Sequence, residues 1–208
     1  MAISDVEVRH VDIDVEAAYA DAEGMLESYP ARGPAAVAYG LRPYIEGKVV
    51  CDLGCGGGDL VWLMGKWAER AIGVENGVRY GTAATPRGAD NVSIEKLDYF
   101  QQPIPQADVY YFWPNDPVTI DALIERMLEV CAPTTLIAGS RLSWIDRERA
   151  GRSFRYSSGN VRWPNFLSLI ATHGGHLTSF DYLEDSSLRV PEWPDKGVWC
   201  LSVIQLGQ

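Results

Sequence analysis

The run VVCDLGCGGGD at residues 49–59 constrains this chain more than any other feature. An apolar strand runs into Asp52. Glycines then fall at 54, 56, 57 and 58, and helix formers follow from Asp59. Glycine lets the backbone turn sharply and approach a ligand closely. A helix that starts there presents unpaired N–H groups to that ligand. Strand, glycine turn and helix in that order form the repeating unit of a parallel sheet covered by helices.

The rest of the chain continues the alternation. Strands are expected at 48–53, 71–75, 92–97, 107–112 and 134–138, with helices at 59–70, 77–84 and 117–131 between them. Ile120, Leu123, Ile124, Met127, Leu128 and Cys131 make one apolar stripe on the third of these helices. A further helix is expected over 165–173. Two last strands, 177–183 and 198–206, are separated by a polar, proline-rich loop rather than a helix, which predicts an antiparallel hairpin at the sheet edge. The fold class is therefore α/β: a doubly wound, mostly parallel, seven-stranded sheet with an antiparallel C-terminal edge hairpin. Ahead of it, Val15–Tyr29 has helical spacing, Pro30, Gly33 and Pro34 break it, and a second helix is expected over 35–44. Residues 1–45 thus read as a helical cover on one globular domain whose main body is 46–208.

Composition narrows the function. The chain has 208 residues, 47% of them apolar and 22% charged, which suits one packed domain. Its formal net charge of −10 argues against life on nucleic acid, where neutralising phosphates dominates binding. No apolar run approaches the roughly 18 residues that span a bilayer, and the start of the chain lacks the pattern of a signal peptide. Cys51, Cys55, Cys131 and Cys200 have no CxxC spacing and read as reduced thiols of a cytoplasmic protein. Zinc is not expected, because none of the three histidines lies near a cysteine pair.

Three successive strands deliver an acid at their carboxyl ends: Asp52, then Glu75, then Asp98, the last followed by Tyr99 and Phe100. Glu75 lies 19 residues after Gly56, where a second strand can aim a carboxylate at ribose hydroxyls. Position 59 is Asp, so the run lacks the G-x-G-x-x-G geometry of nicotinamide sites. With these residues the chain resembles the class I S-adenosylmethionine-dependent methyltransferases, over residues 35–140 by motif and over the whole chain by element order. The resemblance implies a Rossmann-like methyltransferase fold with S-adenosyl-L-methionine as cofactor. It assigns the glycine loop (Asp52, Gly54, Gly56, Gly58) to the methionine part, Glu75 to the ribose, and Asp98 with Tyr99 to the adenine.

A methyl group on a sulfonium is already activated, so such an enzyme chiefly aligns donor and acceptor and excludes water. A base is needed only where the acceptor must lose a proton. The segment YYFWPNDP, Tyr110–Pro117, follows the resemblance to the acceptor side. Asn115 can hold an amine or carbonyl, and Trp113 or Tyr111 can border the sulfonium through cation–π contact. Trp113-Pro114-Asn115 is not the Asn-Pro-Pro-aromatic motif of base and glutamine methylators. Asp116 precedes Pro117 and an apolar-periodic helix, which is the pattern of a helix N-cap with proline at the first position. His173 and His176 flank two glycines and read as a helix end.

Charge is uneven. Residues 1–30 carry eight acids and one arginine, while residues 141–162 carry six arginines and two acids. In the resembled architecture this connection covers the acceptor pocket, so Arg141, Arg152, Arg155 and Arg162 can bind an anionic acceptor, with Arg152 and Arg155 the candidates singled out. The competing reading pairs the arginines with the acidic N-terminus. The expected function is methyl transfer to a small-molecule acceptor. The alternatives are an aminopropyl-type transferase on the same cofactor fold, a protein or peptide methyltransferase, and a non-catalytic cofactor-binding protein.

Overall fold

The computed structural model describes residues 7–14, 17–18, 20, 32–77, 89–113, 117–130, 134–142, 171–185 and 198–206. They belong to two compact units, residues 13–112 and residues 1–12 with 113–208.

The first unit holds the glycine run. Its four strands are β2 (Val49–Leu53), β3 (Arg70–Glu75), β4 (Val92–Lys96) and β5 (Val109–Phe112), in the order β5-β2-β3-β4 and all parallel. β5 is buried along its whole length, as is β2 from Val50 onward, which is why both read as continuous apolar runs. The register of β2 on β5 is tied at its start: Asp108 Oδ2 accepts the Val49 N–H at 2.9 Å, and the Val49 carbonyl accepts the Asp108 N–H at 2.9 Å. Tyr110 is buried with its hydroxyl satisfied, donating to the Pro105 carbonyl at 2.8 Å and accepting from the Ala107 N–H.

Among the described residues, two helices with defined bounds pack in this unit. α1 spans Arg32–Ile45 and α2 spans Asp59–Met64. Ala35 and Ala38 of α1, with Ala18, meet Trp62 and Leu63 of α2. Small residues on one helix leave room for the indole of the other. α1 begins three residues before the expected position, because Pro34 is tolerated in a first helical turn. The helix expected over 59–70 stops at Met64. Beyond it, Lys66 and Trp67 donate to the Leu63 and Met64 carbonyls in tight three-residue turns. Asn91 Nδ2 then donates to the Gly65 and Ala68 carbonyls at 2.9 and 3.1 Å, so a side chain replaces the helical continuation.

The second unit contains β1 (Glu7–Ile13), α3 (Pro117–Val130), β6 (Thr134–Leu142), β7 (His176–Asp185) and β8 (Val198–Leu206), with strand order β1-β7-β8-β6. β8 runs antiparallel to both β6 and β7. The expected C-terminal hairpin is therefore present. A bulge between Leu177 and Ser179 interrupts β7, and the extra residue, Thr178, donates its hydroxyl to the Val203 carbonyl at 3.0 Å. On α3, Leu123, Ile124 and Met127 are buried but Leu128 is exposed, so the apolar stripe is narrower than its spacing suggests.

Two differences from the sequence expectation concern strands. β6 runs on to Leu142, which puts Arg141 inside the strand opposite Trp199 rather than in the connection after it. The N-terminal segment contributes an eighth strand, β1, to a chain read as seven-stranded. Its anchor is an ion pair: Arg9 Nε meets Asp181 Oδ1 at 2.8 Å, a second guanidinium nitrogen meets Oδ2 at 2.9 Å, and the same nitrogen meets the Ser179 hydroxyl at 3.3 Å. Asp14 then accepts the Ala17 N–H on its side chain and the Ala18 N–H on its carbonyl, both at 2.9 Å, as a helix N-cap does. Most of the helices expected over 15–29 and 165–173, and nearly all of that over 77–84, lie outside the described residues. Among the described residues, no helix is long and apolar enough to cross a membrane.

Candidate functional site

The glycine loop is built on the ends of β2 and β3. The Val74 carbonyl accepts both the Gly54 N–H (2.9 Å) and the Cys55 N–H (3.0 Å), which folds the loop back over β3. Gly54, Gly56 and Gly58 have φ of +80°, +58° and +84°, the left-handed region that side chains resist. Gly58 has a second constraint. A Cβ there would lie 2.1 Å from Ile94 Cδ1, so any side chain at 58 would force Ile94 to shift. Gly54 has none: its Cβ would meet only the Tyr99 hydroxyl, at 4.0 Å. The space in front of Gly54 is thus open and bordered by Tyr99.

Glu75 closes the loop. Its Oε2 accepts the Gly56 N–H at 3.0 Å, across the 19 residues that the sequence spacing singled out. One carboxylate oxygen is used within the loop, and the other makes no hydrogen bond among the described residues. Asp98 follows β4. Its Oδ1 accepts the Phe100 N–H at 3.0 Å, its carbonyl accepts the Gln101 and Gln102 N–H groups, and Gln102 Oε1 accepts its N–H at 2.8 Å. Asp98 therefore fixes a turn, and its second carboxylate oxygen makes no hydrogen bond among the described residues. That turn presents Tyr99 and Phe100 as a tilted ring pair, centroids 4.5 Å apart, with Phe100 exposed. Asp52, Gly54, Gly56, Gly58, Glu75, Asp98 and Tyr99 all stand at the carboxyl ends of neighbouring parallel strands, where ligands of such sheets bind.

The electrostatics of this loop are unusual. Asp52 is buried, and burial first, then the Glu75 carboxylate, pushes its pKa up to about 7. Among the described residues no basic side chain pairs with it. The same acids and burial raise the neighbouring groups: Cys55 is held far above the usual thiol range by burial, then by Asp52 and Glu75. Tyr111, level with Asp52 in the β2–β5 register, is raised by burial and then by Asp52. A buried carboxyl without a cation is costly to ionise, and the loop therefore favours a ligand that brings positive charge.

The acceptor-side residues are placed less completely. Tyr111 is buried within β5 beside Asp52 rather than on an open wall. Trp113 directly follows β5 and is half-buried. Asn115, Asp116, Arg152 and Arg155 lie outside the described residues. The sequence reading missed two groups in the loop region. Trp62 carries a buried indole N–H with no hydrogen-bond partner, 3.5 Å from where a Gly58 Cβ would stand. Cys55 packs its sulfur on Gly73, where a Cβ would come within 2.7 Å of it. The glycine at position 73, between Ile72 and Val74 of the strand, was the available signal.

No family model and no curated protein sequence matches the chain. Solved structures match its fold. A Listeria monocytogenes structure described as a putative S-adenosylmethionine-dependent methyltransferase aligns over 84% of this chain and 98% of its own, with TM-score 0.56 and 13% identity. The Synechocystis magnesium protoporphyrin IX methyltransferase with bound S-adenosylhomocysteine aligns over 93% and 85%, with TM-score 0.55 and 12% identity. A methyltransferase in complex with the Haloferax volcanii Trm112 activator aligns over 93% and 95%, with TM-score 0.59 and 15% identity. At such identities the likeness is one of fold. The chain has the Rossmann-like methyltransferase fold: a mostly parallel sheet that ends in an antiparallel C-terminal hairpin.

Proposed function

We propose that this protein is an S-adenosylmethionine-dependent methyltransferase that acts on a small-molecule acceptor. The observation that carries the reading is the closed loop itself. Gly56 is bonded to Glu75, beside Asp52, which meets no basic side chain among the described residues, and an aromatic turn at Asp98-Tyr99. These residues fit the cofactor group by group. Asp52 offers a buried negative site to its sulfonium and ammonium charges. The free oxygen of Glu75 suits the ribose hydroxyls, and Asp98 with the Tyr99–Phe100 rings suits the adenine. The cofactor supplies an activated methyl group when bound. What remains for the chain is to hold the acceptor in line and keep water out.

The small-molecule acceptor is supported by composition and by the solved structures of like fold. The acidic chain disfavours nucleic acid. Two structural neighbours are described by their small-molecule acceptors, magnesium protoporphyrin IX in Synechocystis and N-acetylserotonin in human. On this reading Trp113 and Asn115 border the reacting atoms and Tyr111 supports the pocket from beside Asp52. Arg152 and Arg155 hold an anionic group of the acceptor, and residues 15–45 act as a cover. Incubation of the protein with methyl-labelled cofactor and a pool of small acids, amines and phenols tests it. Label transfer that is lost in Glu75→Ala and survives nuclease and protease treatment is expected. Label that enters protein or RNA instead, or an aminopropyl product, contradicts it.

A further inference from the structure

In the unit that does not hold the glycine loop, Asp121 and Glu125 stand one turn apart on α3, and His173 comes from the turn before β7. His173 Nε2 lies 2.7 Å from Asp121 Oδ1. One oxygen of each carboxylate and a nitrogen of the imidazole all lie within 4.8 Å of one another. We propose that Asp121, Glu125 and His173 bind a divalent transition cation of the zinc type, with water completing its coordination.

Three features favour an ion over a simple hydrogen bond. The first is the third member. The His173–Asp121 contact is complete without Glu125, yet Glu125 brings its carboxylate to the same point. The second is charge. Two acids at positions i and i+4 of a helix repel each other, and a cation between them removes that cost. The third is the donor set. One imidazole with two carboxylates matches the nitrogen and oxygen ligands of zinc, at about 2.0–2.2 Å, and needs no cysteine pair. Ligand atoms around one such ion lie roughly 3–4 Å apart, so an ion would replace the 2.7 Å His173–Asp121 hydrogen bond by wedging these two atoms apart and drawing in the exposed Glu125 side chain. The imidazole is the anchor, with a side chain only 15% exposed, while Asp121 is 47% exposed and gives the ion a route in. A bound ion would join α3 to the turn that feeds β7, and so strengthen that unit by mass action.

The test uses the full chain, freed of metal by chelator and then titrated with zinc chloride in a calorimeter, with melting followed in parallel. One equivalent of zinc should bind to the wild type and raise its Tm. Asp121→Asn, Glu125→Gln and His173→Gln should each weaken zinc binding at least tenfold, while His176→Gln binds as the wild type does. Glu125→Gln separates the site from a purely structural contact, because it leaves the His173–Asp121 bond in place. Its metal-free Tm should equal that of the wild type, and its zinc-induced rise should be lost. No zinc uptake by the folded wild type overturns the proposal, as does unchanged affinity in any of the three site variants.

Discussion

Two buried aspartates, one in each unit, live in opposite surroundings. Asp181 in β7 is 1% exposed and is met by the Arg9 guanidinium through two bonds and by the Ser179 hydroxyl. Asp52 at the end of β2 is 4% exposed, meets no basic side chain among the described residues, and faces a second acid, Glu75. Burial raises both pKa values, but only at Asp181 do hydrogen bonds and an opposite charge push back. A protein gains nothing in stability from a buried acid left uncompensated beside another acid. The contrast sets a strand anchor against a candidate ligand site: Asp181 is bonded to Arg9 of β1, and Asp52 meets no basic side chain among the described residues.

The largest expected effect lies at the compensated aspartate. Arg9→Ala should destabilise the fold by roughly 2–3 kcal/mol, less than for a fully buried pair because Arg9 is 37% exposed. Removing Arg9 raises the Asp181 pKa further. The loss should therefore be greatest at neutral and alkaline pH and shrink as acid protonates Asp181. The double variant Arg9→Ala with Asp181→Asn should recover most of the Tm. A wild-type Tm in Arg9→Ala would place β1 outside the cooperative unit.

The uncompensated aspartate should behave the other way. Its folded pKa of about 7 exceeds the ordinary carboxylate value, so the folded state binds more protons than the unfolded one between about pH 4 and 7. Stability falls as pH rises through that window. Asp52→Asn removes an ionisation that the fold resists, and should raise Tm at alkaline pH, leave it nearly unchanged in acid, and weaken cofactor binding. A Tm loss in both conditions would make Asp52 a structural residue like Asp181.

Smaller effects grade the loop itself. Gly58→Ala meets Ile94 as well as an unfavourable φ, and should cost more than the roughly 1–3 kcal/mol of backbone strain alone. Gly54→Ala meets open space and should cost only the strain, yet impair cofactor binding by filling the cradle beside Tyr99. Equal melting curves for the two variants would contradict the close approach of α2 and β4.

Much of the parallel half could be read from the sequence, because its information is local. β5 is apolar along its length and β2 up to Asp52, and Gly54, Gly56 and Gly58 sit where φ is positive, so each marks its own place. Glu75 could be assigned because one spacing, from Gly56, links two adjacent strands. β1 was missed because its evidence is distant: Arg9 makes sense only beside Asp181, 172 residues later. The β-branched pair Val11 and Ile13, two residues apart, was the one local sign. The ends of α2 and β6 moved for the same reason. Asn91 caps the turns after α2, and Trp199 and Val198 pair with the last residues of β6. His173 read as a helix end, since no local pattern joins it to Asp121.

Calorimetric titration with S-adenosylhomocysteine, at about pH 6 and about pH 8, tests the central claim most directly. The product keeps the ammonium charge of the cofactor, so its binding should lower the Asp52 pKa and release a proton. Affinity should rise by up to about tenfold between the two conditions, as one pKa unit corresponds to a factor of ten. Glu75→Ala should weaken binding by roughly 1–3 kcal/mol at both. Saturable binding with this pH dependence, absent in Asp52→Asn, is the result expected. No binding, or preferential binding of NAD, would contradict the account.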